Sequence, residues 1–295
     1  MPVSRVLVDR CDRDGWSRRR DVVAELAARG VPVTAAARDP SDVARRGADP
    51  PEGVTPVRFN LADPASWPGT LDGADGMFLL RPPQVTRVRR SLLPFVDAAL
   101  AAGGHRVAFL SVQGAGRNAL VPHHAVEQHL RHSGAAWTFL RAGYFAQNLL
   151  TVHRAEILDR NEVAVPSGRG RIAFVDTRDV AEAVAVALTA VGAGFERCAL
   201  ELTGPSAPTW TEVTETLFGV LGRQIRYVAT SPVEHLRRAR ANGNPTGLAL
   251  VTLALCATAR PGLAAHLSLD LAGVLGRPPR DLAAFARDHA AAWEG

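Results

Sequence analysis

Ser111, His123, His124 and Tyr144 are the side chains of this sequence best suited to proton chemistry. A serine hydroxyl can orient a carbonyl, an imidazole can carry a proton near neutral pH, and a phenol can donate one. Arg81, Gln113, Gln147 and Asn148 supply hydrogen bonds that would hold a small substrate. Each also has a plain structural reading. Ser111 can cap a strand, the histidine pair can start a surface helix, Tyr144 can be a core aromatic, and Asn148 can cap a turn. His123-His124-x-x-Glu127 lacks an evident third ligand, so no metal is expected. All 34 residues of the Lys/Arg class are arginine. The absence of lysine excludes a Schiff base, a Walker lysine and a Tyr-x-x-x-Lys pair.

These side chains act together only if the elements carrying them converge. Arg5–Val8, Val31–Ala37, Val54–Phe59, Gly76–Leu80, Arg106–Leu110 and Trp137–Arg141 read as strands, each nearly continuous in apolar residues. Helices are expected at Val22–Arg29, closed by Gly30, at Arg87–Ala102 and at His124–Ser133. Alternation of buried strands with helices predicts an α/β fold with a doubly wound parallel sheet. Ligands of such sheets bind beyond the carboxyl ends of the strands. That edge selects Arg38, Arg81–Pro83, Ser111–Gly114 and Arg141–Asn148. Further on, strands are expected at Ala199–Thr203 and Ile225–Val228, a helix at Thr211–Leu221, and mostly helix from Pro232.

Composition narrows the partners. At 295 residues, 47% hydrophobic and 21% charged, the chain can bury a large core. Net charge is +5, but the arginines are scattered rather than gathered in a stripe with aromatics, so no nucleic acid is expected. Even the apolar run Leu248–Ala259 is too short for a membrane span, and the N-terminus lacks a signal peptide's apolar core. Cys11, Cys198 and Cys256 show no metal-ligand spacing. The expected setting is the cytoplasm, with a small-molecule substrate and a homodimer as the partners considered.

Several short motifs occur in a characteristic order. They are Ala37-Arg38-Asp39-Pro40, Leu61-Ala62-Asp63-Pro64-Ala65-Ser66, Leu110-Ser111-Val112-Gln113-Gly114-Ala115 and Leu140-Arg141-Ala142-Gly143-Tyr144-Phe145-Ala146-Gln147-Asn148. Phe174-Val175-Asp176-Thr177-Arg178-Asp179, Leu202-Thr203-Gly204-Pro205 and Leu275-Gly276-Arg277-Pro278-Pro279 follow. Through them the chain, from about Val22 to Trp293, resembles the NmrA-like atypical short-chain dehydrogenase/reductases. The resemblance implies a Rossmann-like core over 1–150, with 172–204 returning to it, and a smaller C-terminal substrate lobe from 151–171 and 205–295. It implies that Arg38 contacts an adenosine 2′-phosphate, favouring NADP, and that Tyr144, Gln147 and Asn148 line the pocket. Relatives of this kind reduce quinones, ketones and flavonoids, sense the nucleotide, or catalyse non-redox steps.

One segment departs from the family pattern. Where the family has Val-Thr-Gly-Ala-Thr-Gly-x-x-Gly, residues Asp9–Asp21 retain only Gly15 and add Asp9, Asp12, Asp14 and Trp16. Glycines let the backbone approach a pyrophosphate, whereas carboxylates repel it. Arg10, Arg13, Arg18, Arg19 and Arg20 would either grip phosphate instead or form a solvated charged loop. The first expectation is therefore loss of normal NAD(P)H binding, no cofactor, and a non-redox isomerisation, cyclisation or dehydration of a small carbonyl compound. Ser111, His123 or His124, and Tyr144 would move the protons. The second is an NADP(H) oxidoreductase of a quinone or ketone, with Gly15 and Arg38 on the cofactor. The third is a non-catalytic binding or regulatory protein.

A local shift of reading frame, ordinary divergence of the loop and an error in sequencing the gene are alternative accounts of the segment. Codons allowed by Asp9–Asp21, read one base later, give Thr-Gly-Ala-Thr-Gly-Thr-Val-Gly-Arg-Gly-Val-Ala, and the single codon of Trp16 always shifts to glycine. The coding DNA is accordingly expected to carry CGG at Arg10 and Arg13 and TGC at Cys11. Sequencing that region tests the frameshift, and codons incompatible with the shifted reading remove it.

Overall fold

A computed structural model describes residues 3–8, 16–40, 50–82, 85, 87–190, 192, 194–244 and 246–294, with only the backbone of 16–19. The strands are β1 Val6–Val8, β2 Val33–Ala37, β3 Val54–Arg58, β4 Gly76–Leu80, β5 Arg106–Val112 and β6 Ala136–Ala142. They continue with β7 Tyr144–Phe145, β8 Glu162–Val165, β9 Phe174–Val175, β10 Cys198–Leu202 and β11 Arg226–Ala229. The helices that matter below are α1 Trp16–Ala28, α2 Leu93–Ala101, α3 Pro122–His132, α4 Arg154–Arg160 and α5 Thr177–Thr189. After them come α6 Trp210–Leu221, α7 Pro232–Ala241, α8 Thr246–Ala259 and α9 Leu282–Asp288.

Seven strands form one sheet in the order β10-β6-β5-β4-β1-β2-β3. The pairs β1–β2, β1–β4, β2–β3 and β4–β5 are all parallel. Strand order reverses at β1, which creates the crevice where dinucleotides bind in doubly wound folds. β1 and β2 are buried at every residue, as a sheet covered on both faces requires.

The chain divides into two compact units. The first is Met1–Arg141 with Val180–Leu200, and the second is Ala142–Asp179 with Glu201–Gly295. The division places 142–150 and 172–179 in the second unit, where the sequence motifs suggested the core. The local reason is that β7 and β9 pair with each other, Tyr144 opposite Phe174. The first unit packs Leu7, Met77, Phe95, Phe109 and Phe139 into its core. The second packs Tyr144, Phe174, Trp210, Phe285 and Trp293.

Element edges differ from expectation where local chemistry decides. α1 starts at Trp16 rather than Val22, because Ser17 to Asp21 contain neither Gly nor Pro to stop it. The helix expected over 87–102 is broken into Val88–Ser91 and α2. Pro94, in the first turn of α2, has no N–H to extend the preceding ladder. α6 opens with a full capping box, Thr209 and Glu212 serving each other's backbone N–H. α4, β7 and β8 had no strong sequence signal.

Gly204, from the Thr-Gly-Pro motif, donates its N–H to the Phe174 carbonyl at 2.6 Å. A Cβ at Gly204 would lie 2.7 Å from that same oxygen. Glycine is needed there for space. Gly204→Ala is expected to destabilise the second unit by about 1–3 kcal/mol. Denaturant unfolding followed by tryptophan fluorescence measures it, and an unchanged midpoint contradicts the packing argument.

Candidate active site

In the first unit the carboxyl ends of β5 and β6 meet the second turn of α3. Glu127 on that turn is wholly buried. Ser111 Oγ donates to Glu127 Oε1 at 2.7 Å. Arg141 Nε donates to the same oxygen at 3.0 Å and Nη2 to Oε2 at 2.7 Å. A two-pronged guanidinium plus a hydroxyl satisfies a carboxylate that water cannot reach.

Ser111 therefore differs from its expected role. β5 runs on to Val112, so Ser111 lies inside the strand, is 1% exposed and faces α3. Its hydrogen belongs to Glu127 and is not offered to a substrate carbonyl. The helix carrying the histidines starts with Pro122, where the missing N–H needs no partner.

The two histidines separate sharply. His123 is buried beside the Phe109 ring, 5.9 Å between centroids. Arg81 Nε donates to its Nε2 at 3.4 Å, while its Nδ1 has no partner. Burial, and then the Arg81 charge, push this imidazole down to about 3. It is neutral and interior at neutral pH, which does not suit a proton carrier. His124 is half-buried, and its Nδ1 lies 2.8 Å from the Ala115 carbonyl. A carbonyl only accepts, so Nδ1 carries the hydrogen and Nε2 keeps a lone pair.

Arg81 follows β4, half-buried, and its Nη1 donates to the carbonyls of Pro82 and Val85 at 3.0 and 2.9 Å. Burial lowers the pKa of its guanidinium. Gln113 is half-buried in the turn after β5. Arg38 follows β2 and is exposed. Gly15 lies outside the described residues. Arg38 and Arg81 thus follow the two strands that flank β1.

The second unit holds the other expected residues. Tyr144 is 5% exposed, with its hydroxyl 2.9 Å from His153 Nε2. Its ring lies 5.1 Å from Phe174 and 5.7 Å from Trp210. Tyr144 is a core aromatic here, because those flat neighbours bury it and His153 engages its hydroxyl. Gln147 Nε2 donates to Asp176 Oδ1 at 2.8 Å, and its Oε1 accepts from the Thr177 N–H at 3.0 Å. Both ends of that amide fix the start of α5. The Asn148 carbonyl accepts from the N–H groups of Thr151 and His153, closing a turn.

From sequence, Asp176 and Asp179 read as residues that fix the turn between strand and helix, while the cleft around His153 was missed. Asp179, wholly buried, accepts from Arg277 Nη2 at 2.9 Å, from the Arg280 N–H at 2.6 Å and from the Arg280 guanidinium. The Gly-Arg-Pro-Pro motif was the available signal. Asp176 is pushed up by burial, but the Arg178 guanidinium and N–H and the Gln147 amide hold it below the usual carboxylate range. His153, Glu156, His235, Arg238, Asn242 and Asn244 line a small cleft. Burial raises the Glu156 carboxyl. Among the described residues no group of His, Cys, Asp and Glu is arranged to hold a metal ion, and no helix is long and apolar enough to cross a membrane.

His153 carries a testable consequence. Burial, then His235, push its imidazole down to about 3. An unfolded imidazole titrates near 6.5. As pH falls the unfolded chain therefore takes up the proton first, and stability present above about 6.5 is lost toward 3. The loss is several kcal/mol, at about 1.4 kcal/mol per pH unit. His153→Gln is expected to flatten stability against pH in this window by about one proton. Urea unfolding at a series of pH values measures the slope, and an unaltered slope contradicts it.

The NmrA-like family model matches residues 19–254. The chain is 33% identical to NAD(P)H azoreductase of Xenophilus azovorans over 279 residues, covering 92% of this chain and 94% of that one. It is 32% identical to (4-alkanoyl-5-oxo-2,5-dihydrofuran-3-yl)methyl phosphate reductase of Streptomyces griseus, covering 93% and 95%. The NADPH-dependent quinone oxidoreductase of Escherichia coli, solved with NADPH, superposes with a TM-score of 0.80 at 24% identity, covering 96% and 99%. That last likeness concerns the fold. With its Rossmann-like sheet and these relatives, the chain belongs to the NmrA-like family.

Proposed function

We propose that this chain is an NADP(H)-dependent reductase of a small quinone, carbonyl or azo-type acceptor. The observation that carries the reading is the likeness to NAD(P)H azoreductase over 92% of the chain. It favours the oxidoreductase reading over the cofactor-free proton-transfer reading. Arg38, exposed at the end of β2, supplies a physical reason to prefer the 2′-phosphorylated nucleotide.

The nucleotide, when bound, supplies the hydride. The chain's own residues handle the proton and the position of the acceptor. His124 holds its Nδ1 hydrogen on the Ala115 carbonyl, so Nε2 is where a proton is taken up from solvent. As imidazolium, Nε2–H delivers that proton to the oxygen or nitrogen that becomes anionic on reduction. Arg81 and Gln113 orient the acceptor. Without a Tyr/Lys pair, the rate depends on positioning and on this single donor.

The proton-transfer reading keeps one specific support, the carboxylates Asp9, Asp12 and Asp14 in place of loop glycines. Calorimetric titration with NADPH and NADH separates the two. The expected outcome is micromolar NADPH affinity. Arg38→Ala should weaken NADPH about 10- to 100-fold, the worth of one charge-assisted hydrogen bond, and leave NADH unchanged. A folded protein that binds neither nucleotide overturns the reductase reading in favour of proton transfer.

A further inference from the structure

The loop after β5, Gln113 to Asn118, is held from two sides. On one side His124 Nδ1–H donates to the Ala115 carbonyl at 2.8 Å. On the other the Arg141 guanidinium lies against Gly116. A Cβ on Gly116 would stand 2.7 Å from Arg141 Cζ and 3.0 Å from Nη1. Gly116 is not among the glycines with positive φ. Glycine at 116 is therefore a matter of room rather than of backbone freedom.

The guanidinium cannot swing aside freely. It is bonded through Nε and Nη2 to both oxygens of Glu127, which is wholly buried. Losing that pair would leave a carboxylate in the interior with only the Ser111 hydroxyl and Arg131, whose Nη2 is 3.9 Å away. A buried charge stripped of its partner is strongly destabilising. Arg141 is a fixed floor, and the loop rests on it through a residue with no side chain.

We propose that Glu127, Arg141 and Gly116 form a clamp that sets the tautomer of His124. A neutral imidazole free in water carries its hydrogen mainly on Nε2. Here the Ala115 carbonyl draws it to Nδ1, as the partner of one ring nitrogen determines the state of the other. That carbonyl stays in reach only while Gly116, the next residue, lies down on Arg141. Glu127 acts through Arg141 and the loop, and is a positioning residue. The consequence for chemistry, which rests on the reductase reading, is that Nε2 is always the open nitrogen.

Long-range proton–nitrogen spectra of the 15N-labelled full chain read the tautomer with no ligand present. His124 is identified by the signals lost in His124→Gln. The wild-type protein above pH 8 is expected to show His124 with hydrogen on Nδ1. In Gly116→Ala and Glu127→Gln the Nε2–H form should become the majority, while Ser111→Ala, which leaves the ion pair intact, should keep the wild-type form. Where Gly116→Ala does not melt cooperatively, Glu127→Gln is the deciding variant. An Nε2–H majority in the wild type, or a wild-type tautomer in either folded clamp variant, overturns the proposal. Nucleotide titration is independent of this readout. Lack of NADPH binding with the expected tautomers overturns the reductase reading alone, and binding with unmoved tautomers overturns the clamp alone.

Discussion

Glu127 sits where a parallel sheet has few ways to satisfy a charge. β5 and β6 are largely buried there, and the carboxylate has no access to water. Its desolvation is offset only because two strands each end in a suitable donor, Ser111 on β5 and Arg141 on β6. The pair gives no large net stability, since a buried ion pair roughly balances its desolvation. It does define one arrangement of α3 against the sheet, because any slip of the helix would strand the charge. The loop after β5 and the histidines at the start of α3 inherit their positions from it.

The second unit solves similar problems with other groups. Asp179, also wholly buried, is held by Arg277 and Arg280 from a segment about a hundred residues further along. Gln147 and Asp176 brace the start of α5 from the turn after β7. Tyr144, His153, Phe174 and Trp210 form one aromatic cluster, with the phenol and imidazole as its polar pair. These buried carboxylates and their partners are thus bonded in sets, as burial demands. The sets join residues distant in sequence, so each can form only after the fold has brought its members together.

Much of the fold was legible from local pattern. Gly76–Leu80 is a strand in both readings, since an unbroken apolar run of that length has nowhere to go but a covered sheet. A helix was read at Thr211–Leu221, and the Thr209–Glu212 capping box starts it one residue earlier, at Trp210. Pro94 was visible, yet its effect on the 87–102 helix depended on where the first turn began. The site was less legible. Ser111, His123 and Tyr144 have the residue types of proton chemistry, but their hydroxyl and ring atoms are turned into the interior and bonded there. Residue type does not encode which way a side chain faces when a strand ends two residues later than expected.

By itself the sequence determined the alternation of strands and helices, the family motifs, the lack of any lysine, and the departure from a glycine-rich turn at Asp9–Asp21. These follow from composition and short-range spacing, which need no knowledge of neighbours in space. The tertiary structure alone decided that His123 is turned into the core while His124 meets the Ala115 carbonyl of the loop, and that Gly116 must lack a side chain. Adjacent residues on a helix point about 100° apart, so one of the pair meets Arg81 and Phe109 in the core and the other meets the loop. Only packing against β5 and β6 settles which is which.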